Sequence, residues 1–191
     1  MKIAIDIDEV VARYVDCYCE YHNEFGGNLR YEDWKEFSFS QTLGISHEEA
    51  YDVRQNFLES ECFDRMELIE GAKEGINFLA ENYELVFITV RPKDHEKKTI
   101  DFFNKHFPGN DFEIIFAGAY MGGKPKDEIC RGLGINLIIE DCVGSQEYAE
   151  NGMRVILFDK AWNREVEHEN VVRCYNWKEI LSEIRRMDNG N

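Results

Sequence analysis

The stretch that decides the fold is Lys2-Ile-Ala-Ile-Asp-Ile-Asp8, close to the start of the 191-residue sequence. Its apolar residues follow one another without alternation, which is typical of a strand buried on both faces of a parallel sheet. Two carboxylates, Asp6 and Asp8, stand where this strand ends. Because ligands of open α/β sheets bind at the carboxyl ends of the strands, the stretch predicts a sheet edge that carries chemistry.

Further along the chain, short apolar runs alternate with segments of helical periodicity. Strands are predicted at 85–88, 112–116, 137–139, 154–158 and, at the edge, 171–175, and helices at 71–80, 95–107, 126–133, 145–151 and 176–187. This alternation is typical of crossover units that build a parallel sheet covered by helices on both faces. The sequence therefore predicts an α/β fold with a Rossmann-like, doubly wound parallel sheet.

One segment interrupts the alternation. Residues Val10–Phe25 have helical spacing, and Ser46-His-Glu-Glu49 is a capping box that begins another helix. No convincing strand occurs between these patterns and residue 70. We therefore predict a core domain made of residues 1–9 and 71–191, with a small helical cap, residues 10–70, inserted after the first strand.

Composition excludes several classes of protein. The chain carries 22 Lys and Arg against 38 Asp and Glu, a formal net charge of −16. Such acidity argues against binding duplex nucleic acid, which needs a basic surface, and against docking on anionic lipid. No apolar run approaches the roughly 20 residues of a membrane span. With acids near its start and six cysteines that form no CxxC pair, the sequence indicates a cytoplasmic protein with reduced thiols.

Polar residues follow the other predicted strands as well, at the same edge of the sheet. They are Thr89-Val90-Arg91 after the second strand, Glu140-Asp141 after the fourth, and Lys124 and Lys126 at the start of the helix between them. Several carboxylates together need a cation, and oxygen ligands favour Mg²⁺. A threonine hydroxyl and a lysine ammonium are natural donors to phosphate oxygens. The pattern favours phosphoryl chemistry, with Asp6 as a nucleophile and Asp8 as a general acid and base.

These motifs resemble those of the haloacid dehalogenase-like phosphohydrolase superfamily, over almost the whole chain. The matching segments are Ile3–Val11, Phe87–Pro92, Lys126 and Ile138–Asp141. A narrower likeness links Thr89–Pro92, Lys126–Ile135 and Phe158–Arg164 to the 5′(3′)-deoxyribonucleotidase branch. The resemblance implies a phosphatase that forms an aspartyl-phosphate intermediate, with the helical insertion as its cap.

The resemblance also implies a role for each matching residue. Asp6 would be the nucleophile and a Mg²⁺ ligand, Asp8 the acid and base and, through its carbonyl, a second ligand, and Asp141 the third. Substrate contacts would come from Thr89, Val90, Arg91 and Lys126. Lys126 is preferred to Lys124 because its spacing from Asp141 matches that branch. Two residues depart from many relatives, since Glu9 replaces a glycine and Glu140 an aspartate.

The substrate is open at this point. A nucleoside monophosphate is favoured, with a sugar or other metabolite phosphate as the alternative substrate. A non-catalytic phosphometabolite-binding module and a signalling phosphoacceptor domain are the alternatives of another class. Tyr14, Trp34, Phe37 and Phe39 either stack on a base or pack inside the cap. Arg91 either clamps a second anionic group or pairs with an acid of the cap, and a homodimer is left open.

Overall fold

The computed structural model describes residues 1–118 and 123–190. Within them, six parallel strands form one sheet in the order β3-β2-β1-β4-β5-β6. The strands are β1 (Lys2–Ile5), β2 (Glu84–Thr89), β3 (Glu113–Phe116), β4 (Leu137–Glu140), β5 (Arg154–Phe158) and β6 (Val171–Cys174). This order winds outward in both directions from β1, so the predicted Rossmann-like fold is confirmed.

Helices cover the sheet, and the first four lie between β1 and β2. These four are α1 (Tyr14–Glu24), α2 (Phe39–Leu43), α3 (His47–Glu59) and α4 (Glu61–Asp64). The later helices are α5 (Ala72–Asn82), α6 (Glu96–His106), α7 (Lys126–Gly132), α8 (Ser145–Glu150) and α9 (Trp177–Asp188). Short 3₁₀ turns occur at Tyr31–Asp33, Lys93–His95 and Ala161–Asn163. Residues 10–70, which we call the helical insertion, contribute no strand to the sheet as described.

Successive residues of β1 point to opposite faces of the sheet, and each face has its own core. Ile3 and Ile5 join a cluster that includes residues of α5, α6 and α9, whereas Ala4 joins a cluster with residues of α7 and α8. This two-residue period explains why Ile3, Ala4 and Ile5 are apolar in succession, since neither face of the strand meets water at these positions.

The first helix begins at Tyr14 rather than at Val10, where the sequence pattern placed its start. The backbone makes a tight turn first, because the amides of Val11 and Ala12 both donate to the carbonyl of Ile7 at 2.9 Å. Glu9, inside this turn, has a φ of +60°, the left-handed conformation that non-glycine residues seldom adopt. The turn brings the chain from the sheet edge into the helical insertion.

The helical insertion and the sheet share one hydrophobic cluster. Tyr18 and Phe57 of the insertion belong to the same cluster as Phe87 of β2 and Trp177 of α9. The indole of Trp177 also donates a 2.9 Å hydrogen bond to the carbonyl of Val10. The insertion is therefore packed against the sheet and its helices.

Two further expectations concern the whole chain. Each of the six cysteines is free and buried, as expected for reduced thiols used in packing. Among the described residues, no helix is both long enough and apolar enough to cross a membrane.

Candidate active site

The sheet topology brings the ends of β1 and β4 together. The amide of Asp6, just beyond β1, donates to the carbonyl of Ile139 in β4 at 2.9 Å. One carboxylate oxygen each from Asp6, Glu140 and Asp141 lie within 4.8 Å of one another, and all three residues are buried. This is the crevice where the strand order reverses, which is where open α/β sheets bind their ligands.

The structure brings Lys126, and not Lys124, to this crevice. The Lys126 ammonium lies 2.7 Å from a carboxylate oxygen of Asp6 and 2.8 Å from one of Glu140. Its side chain is 3 % exposed and extends from the first residue of α7. Lys124 instead pairs with Glu128 at 2.6 Å, and its side chain is 70 % exposed.

Asp8 is held by a buried guanidinium. The Nη2 and Nε atoms of Arg91 lie 2.6 Å and 3.1 Å from the Asp8 carboxylate, so the contact is bidentate. The Arg91 side chain is fully buried, and its guanidinium lies 4.8 Å above the ring of Phe63. Its Nη1 atom donates to the hydroxyl of Thr99 at 3.2 Å. Arg91 therefore pairs with Asp8, which precedes the predicted cap, rather than with an acid of the cap itself.

Thr89 stands at the end of β2, beside the crevice, and is fully buried. Its hydroxyl oxygen accepts the backbone N–H of Arg91 at 3.1 Å, which leaves the hydroxyl proton as a donor for a ligand. Val90, the next residue, is half-buried and packs against the cluster that contains Ala4. A contact between Val90 and a substrate therefore stays a prediction.

Asp141 is supported by a loop that follows β5. The Trp162 indole donates to both the carbonyl and the carboxylate of Asp141 at 3.1 Å, and the Asn163 amide donates to the same carbonyl at 2.8 Å. These contacts fix the backbone and the side chain of Asp141 together. Trp162 is therefore an anchor for Asp141.

Crowding and burial change the proton affinities at this edge. Burial, with the adjacent Glu140 carboxylate, raises the pKa of Asp6 from 3.8 to about 8. Burial, with the Asp6 and Glu140 carboxylates, raises the pKa of Asp141 well above its usual range. Burial alone would lower the pKa of Lys126, but the Asp6 and Glu140 carboxylates raise it well above its usual value. Lys126 is therefore a permanent cation at neutral pH.

The charges at this edge do not balance. Five carboxylates face three cations, namely Asp6, Asp8, Glu9, Glu140 and Asp141 with Lys126, Arg91 and Lys160. When all five carboxylates are ionised there is an excess of two negative charges on oxygen atoms alone, and a hard divalent cation would balance it. The residues present therefore fit a divalent metal ion held by Asp6 and Asp141.

Glu9, which stands where many relatives have glycine, has a cationic partner. Its carboxylate lies 2.8 Å from the ammonium of Lys160, and both side chains are less than a tenth exposed. Sequence reasoning missed Lys160, although its position just after β5 could have revealed it, because the ends of parallel strands meet at one edge. It also missed Tyr31, which donates to Glu9 at 3.0 Å and has no comparable sequence signal.

The aromatic residues considered as base-stacking candidates mostly lie in the core of the helical insertion. The ring of Tyr14 meets that of Phe57 edge-to-face at 5.2 Å, and Trp34 meets Phe39 at 4.8 Å. Tyr14 and Trp34 are 6 % and 3 % exposed, whereas Phe37 is 39 % exposed. Packing therefore accounts for Tyr14, Trp34 and Phe39 in this structure.

Fold and site together place the chain among the haloacid dehalogenase-like phosphohydrolases, and so among the phosphoric monoester hydrolases. Within that class it belongs to the family described as 5′ nucleotidase, deoxy (pyrimidine), cytosolic type C protein, whose pattern matches residues 1–187. The resemblance inferred from the motifs is thereby confirmed.

Known proteins show similarity over nearly the whole chain. YqfW of Bacillus subtilis (strain 168) is 28 % identical over 186 residues, which are 95 % of this chain and 92 % of that protein. Nucleotidase CA_C3379 of Clostridium acetobutylicum is 25 % identical over 98 % of this chain and 95 % of its own length. A haloacid dehalogenase-like protein of unknown function from Agrobacterium tumefaciens str. C58 shares the fold, with a TM-score of 0.66, 16 % identity and 98 % of each chain covered.

Proposed function

We propose that this protein is a Mg²⁺-dependent phosphatase of small phosphomonoesters, with nucleoside monophosphates as the preferred substrates. One observation carries the proposal. The buried Asp6 carboxylate lies 2.7 Å from the Lys126 ammonium, and one of its oxygens lies within 4.8 Å of carboxylate oxygens of Glu140 and Asp141. This arrangement supplies a nucleophile together with the positive charges that a transferring phosphoryl group needs.

In the proposed reaction, a carboxylate oxygen of Asp6 attacks phosphorus, and the bond from phosphorus to the leaving oxygen breaks. Asp8 gives its proton to that leaving oxygen, and the alcohol departs. Asp8 then takes a proton from water as the water attacks the aspartyl-phosphate, which releases phosphate and restores Asp6. Arg91 orients Asp8 through its two hydrogen bonds in both steps.

Two donors from this chain would hold the phosphoryl oxygens. Lys126 would carry a positive charge to them, and Thr89 would donate its hydroxyl proton. Asp6, Asp141 and the backbone carbonyl of Asp8 would hold the Mg²⁺ ion, with Glu140 orienting Lys126 at 2.8 Å. When bound, this ion would neutralise charge on the phosphoryl group that is being transferred.

Nucleotides are the favoured substrates because of the family to which the chain belongs and because a similar protein is named a nucleotidase. The proposal includes the division into a core, residues 1–9 and 71–191, and a cap, residues 10–70, which would exclude water during the reaction. A cytoplasmic location and a homodimer remain predictions.

A substrate of another kind is favoured by one observation, the burial of the aromatic residues in the helical insertion. Tyr14 and Trp34 pack against other rings, so neither presents an open face for a base. A sugar phosphate or another compact metabolite phosphate would need no such face. The experiment below therefore includes both kinds of substrate.

The test measures phosphate release with Mg²⁺ from a panel of nucleoside monophosphates and sugar phosphates, using wild type, Asp6→Asn and the surface control Asp101→Asn. We expect release from nucleotides by wild type and the control, and a loss of at least about 10³-fold in Asp6→Asn. Release from sugar phosphates alone would keep the mechanism and reject the nucleotide assignment. Equal release by Asp6→Asn and wild type would reject the mechanism.

A further inference from the structure

Three distant segments of the chain meet at the carboxylate of Glu9. One oxygen accepts the backbone N–H of Val15, in the first turn of α1, at 2.8 Å. The other accepts the hydroxyl of Tyr31 at 3.0 Å and the ammonium of Lys160 at 2.8 Å. The Tyr31 oxygen is itself 3.2 Å from the Lys160 nitrogen. One side chain thus joins the sheet edge, the helical insertion and the loop after β5.

The pair of Glu9 and Lys160 is buried, with side chains 6 % and 8 % exposed. Burying an ion pair requires further hydrogen bonds to its remaining atoms, and Tyr31 and the Val15 amide provide them. Glu9 also occupies a left-handed backbone position that a glycine would adopt more easily. The contacts of the Glu9 side chain therefore stabilise a backbone conformation that is unfavourable for glutamate.

The ion pairs that Asp64 and Glu67 of the insertion form with α6 are more exposed. The carboxylates of Asp64, paired with Lys98, and of Glu67, paired with Lys105, are 50 % and 67 % exposed. Exposed pairs contribute little because water and salt screen them. Glu9 and Lys160 therefore give the insertion a buried, charged partner for the Tyr31 hydroxyl, with the Val15 amide bound to Glu9 as well. This contact adds to the buried hydrogen bonds that join Trp177 to the Val10 carbonyl and His106 to the Met66 carbonyl.

This contact lies close to Trp162, which supports the proposed metal ligand Asp141. The ring of Tyr31 is 6.5 Å from that of Trp162, and the Lys160 ammonium is 6.0 Å from the same ring. Trp162 in turn donates to the Asp141 carboxylate at 3.1 Å. The hydrogen bonds of the Lys160 ammonium go to Glu9 and Tyr31, so among the described residues it is linked to Asp141 through Tyr31 and Trp162.

We propose that Lys160 is a positioning residue for the reaction. Together with Glu9 it forms a docking point that holds Tyr31, and with it the helical insertion, against the loop that supports Asp141. The inference rests on the proposed function and specifies how the insertion is kept over the site. Substrates with large leaving groups then depend on Lys160, because the insertion must contact them, whereas the smallest phosphate donors do not.

The first test compares Lys160→Met with Lys97→Met, whose lysine is 86 % exposed and pairs with Asp101 on the surface. Steady-state kinetics are measured with the best nucleotide of the panel and with acetyl phosphate. In Lys160→Met we expect the KM for the nucleotide to rise by about tenfold or more, while the kcat for acetyl phosphate stays within about twofold. Equal losses with both substrates, or no change with either, would overturn the proposal.

The second test needs no activity. Amide hydrogen exchange is followed in Tyr14–Glu24 and Tyr31–Asp33 of wild type, Lys160→Met, Tyr31→Phe and Lys97→Met. We expect faster exchange in both segments for Lys160→Met and Tyr31→Phe, because the loss of docking frees the insertion locally. Lys97→Met should exchange at wild-type rates. Unchanged exchange in Tyr31→Phe would overturn the proposal.

Together, the kinetic and exchange measurements distinguish a failure of the proposed phosphatase function from a failure of the docking point. If Lys160→Met does not fold, because it leaves the Glu9 carboxylate buried without its cation, Tyr31→Phe and the double variant Glu9→Gln/Lys160→Met decide the outcome. If wild type releases phosphate from no substrate, the proposed function fails, and the exchange experiment still tests the docking point. If wild type is active and the exchange rates are all alike, the docking point fails alone.

Discussion

At the carboxyl edge of the sheet several buried side chains are charged, whereas aromatic rings pack together at the centre of the helical insertion. Asp6 and Lys126 are each less than a tenth exposed and form an ion pair at 2.7 Å. In the insertion, Tyr18 and Phe57 are fully buried and meet edge-to-face with ring centres 5.3 Å apart. The sheet edge therefore buries charged groups that water would solvate better, whereas the rings of the insertion are apolar and lose little when they leave water.

This difference indicates that the sheet edge contributes to chemistry and the centre of the insertion to the stability of the fold. Burying charges is costly, so a cluster of them marks a site that uses their electrostatic field. Burying aromatic rings stabilises a fold without any further role. We therefore expect the insertion to affect the proposed reaction mainly where it meets the sheet edge, at Tyr31, Phe63 and Met66, and less through the rings at its centre.

The largest expected effect comes from the charged edge. Lys126→Met removes the cation that contacts Asp6 and Glu140, so phosphate release should fall by about 10²–10³-fold. Breaking this buried pair should also lower the free energy of unfolding by about 3–5 kcal/mol. Steady-state kinetics and urea unfolding measure the two effects.

Lys124→Met is the matched control, because the same substitution two residues away touches only the surface contact with Glu128. Its free energy of unfolding should stay within about 0.5 kcal/mol of wild type, and its activity should not change. A loss of activity in Lys124→Met equal to that in Lys126→Met would show that the position of the lysine is not what matters.

Arg91 lies where the two regions meet, since it binds Asp8 on one side and lies above Phe63 of the insertion on the other. Arg91→Gln keeps hydrogen-bonding capacity but shortens the side chain and removes the charge. We expect kcat to fall by about 10²-fold through misplacement of Asp8, with little change in KM. A large rise in KM at constant kcat would instead identify Arg91 as a clamp on an anionic part of the substrate.

The residues of the sheet edge were predictable from sequence because each strand can be recognised from a few consecutive residues. Asp6, Thr89 and Asp141 each stand at the end of an apolar run, and parallel strands bring their ends to one edge whatever lies between them. That rule placed Asp6, Thr89 and Asp141 in one crevice without any structure. It could not foresee that Arg91 pairs with Asp8, because such a contact depends on where each side chain points beyond the strand.

The helical insertion was less predictable for the opposite reason. Its fold depends on which rings pack together, and a pattern of aromatic residues does not distinguish packing from ligand binding. The short helices Phe39–Leu43 and Glu61–Asp64 also lack the length that makes periodicity visible. Tyr31 illustrates the limit, since its partners Glu9 and Lys160 are 22 and 129 residues away in the sequence.

The charged edge should also make stability depend on pH when no metal is bound. The pKa of Asp6 rises from 3.8 to about 8 on folding, so between these pH values the folded protein holds a proton that the unfolded chain has released. Unfolding then releases a proton, and the free energy of unfolding must fall as pH rises through this window. Urea unfolding in EDTA should show this fall in wild type and a smaller one in Asp6→Asn.

Added Mg²⁺ should reduce the pH dependence of wild type, because a bound cation favours the ionised carboxylates and binds only the folded state. The aromatic centre of the insertion contains no such carboxylate cluster, so Glu49→Gln on its surface serves as the control. An equal slope of stability against pH in wild type and Asp6→Asn would contradict the assignment of this effect to the crevice.

The smallest effect tests whether the two regions unfold together. Ser46 begins α3 in the insertion, and its hydroxyl accepts the amide of Glu49 at 3.2 Å. Asn176 begins α9 beside the sheet, and its side chain accepts the amide of Glu179 at 3.0 Å. Replacing either cap by alanine should cost about 1 kcal/mol, or a shift in Tm of roughly 2–4 °C.

Because one hydrophobic cluster spans the insertion and the sheet, both substitutions should move the same transition by similar amounts. Thermal unfolding followed by circular dichroism and by tryptophan fluorescence would reveal this, since Trp34 lies in the insertion and Trp177 in α9. An early transition that Ser46→Ala lowers and Asn176→Ala leaves in place would mean that the insertion unfolds alone. The insertion would then be the less stable region, and its contacts at Glu9 and Arg91 would be the ones that form and break while the sheet edge stays intact.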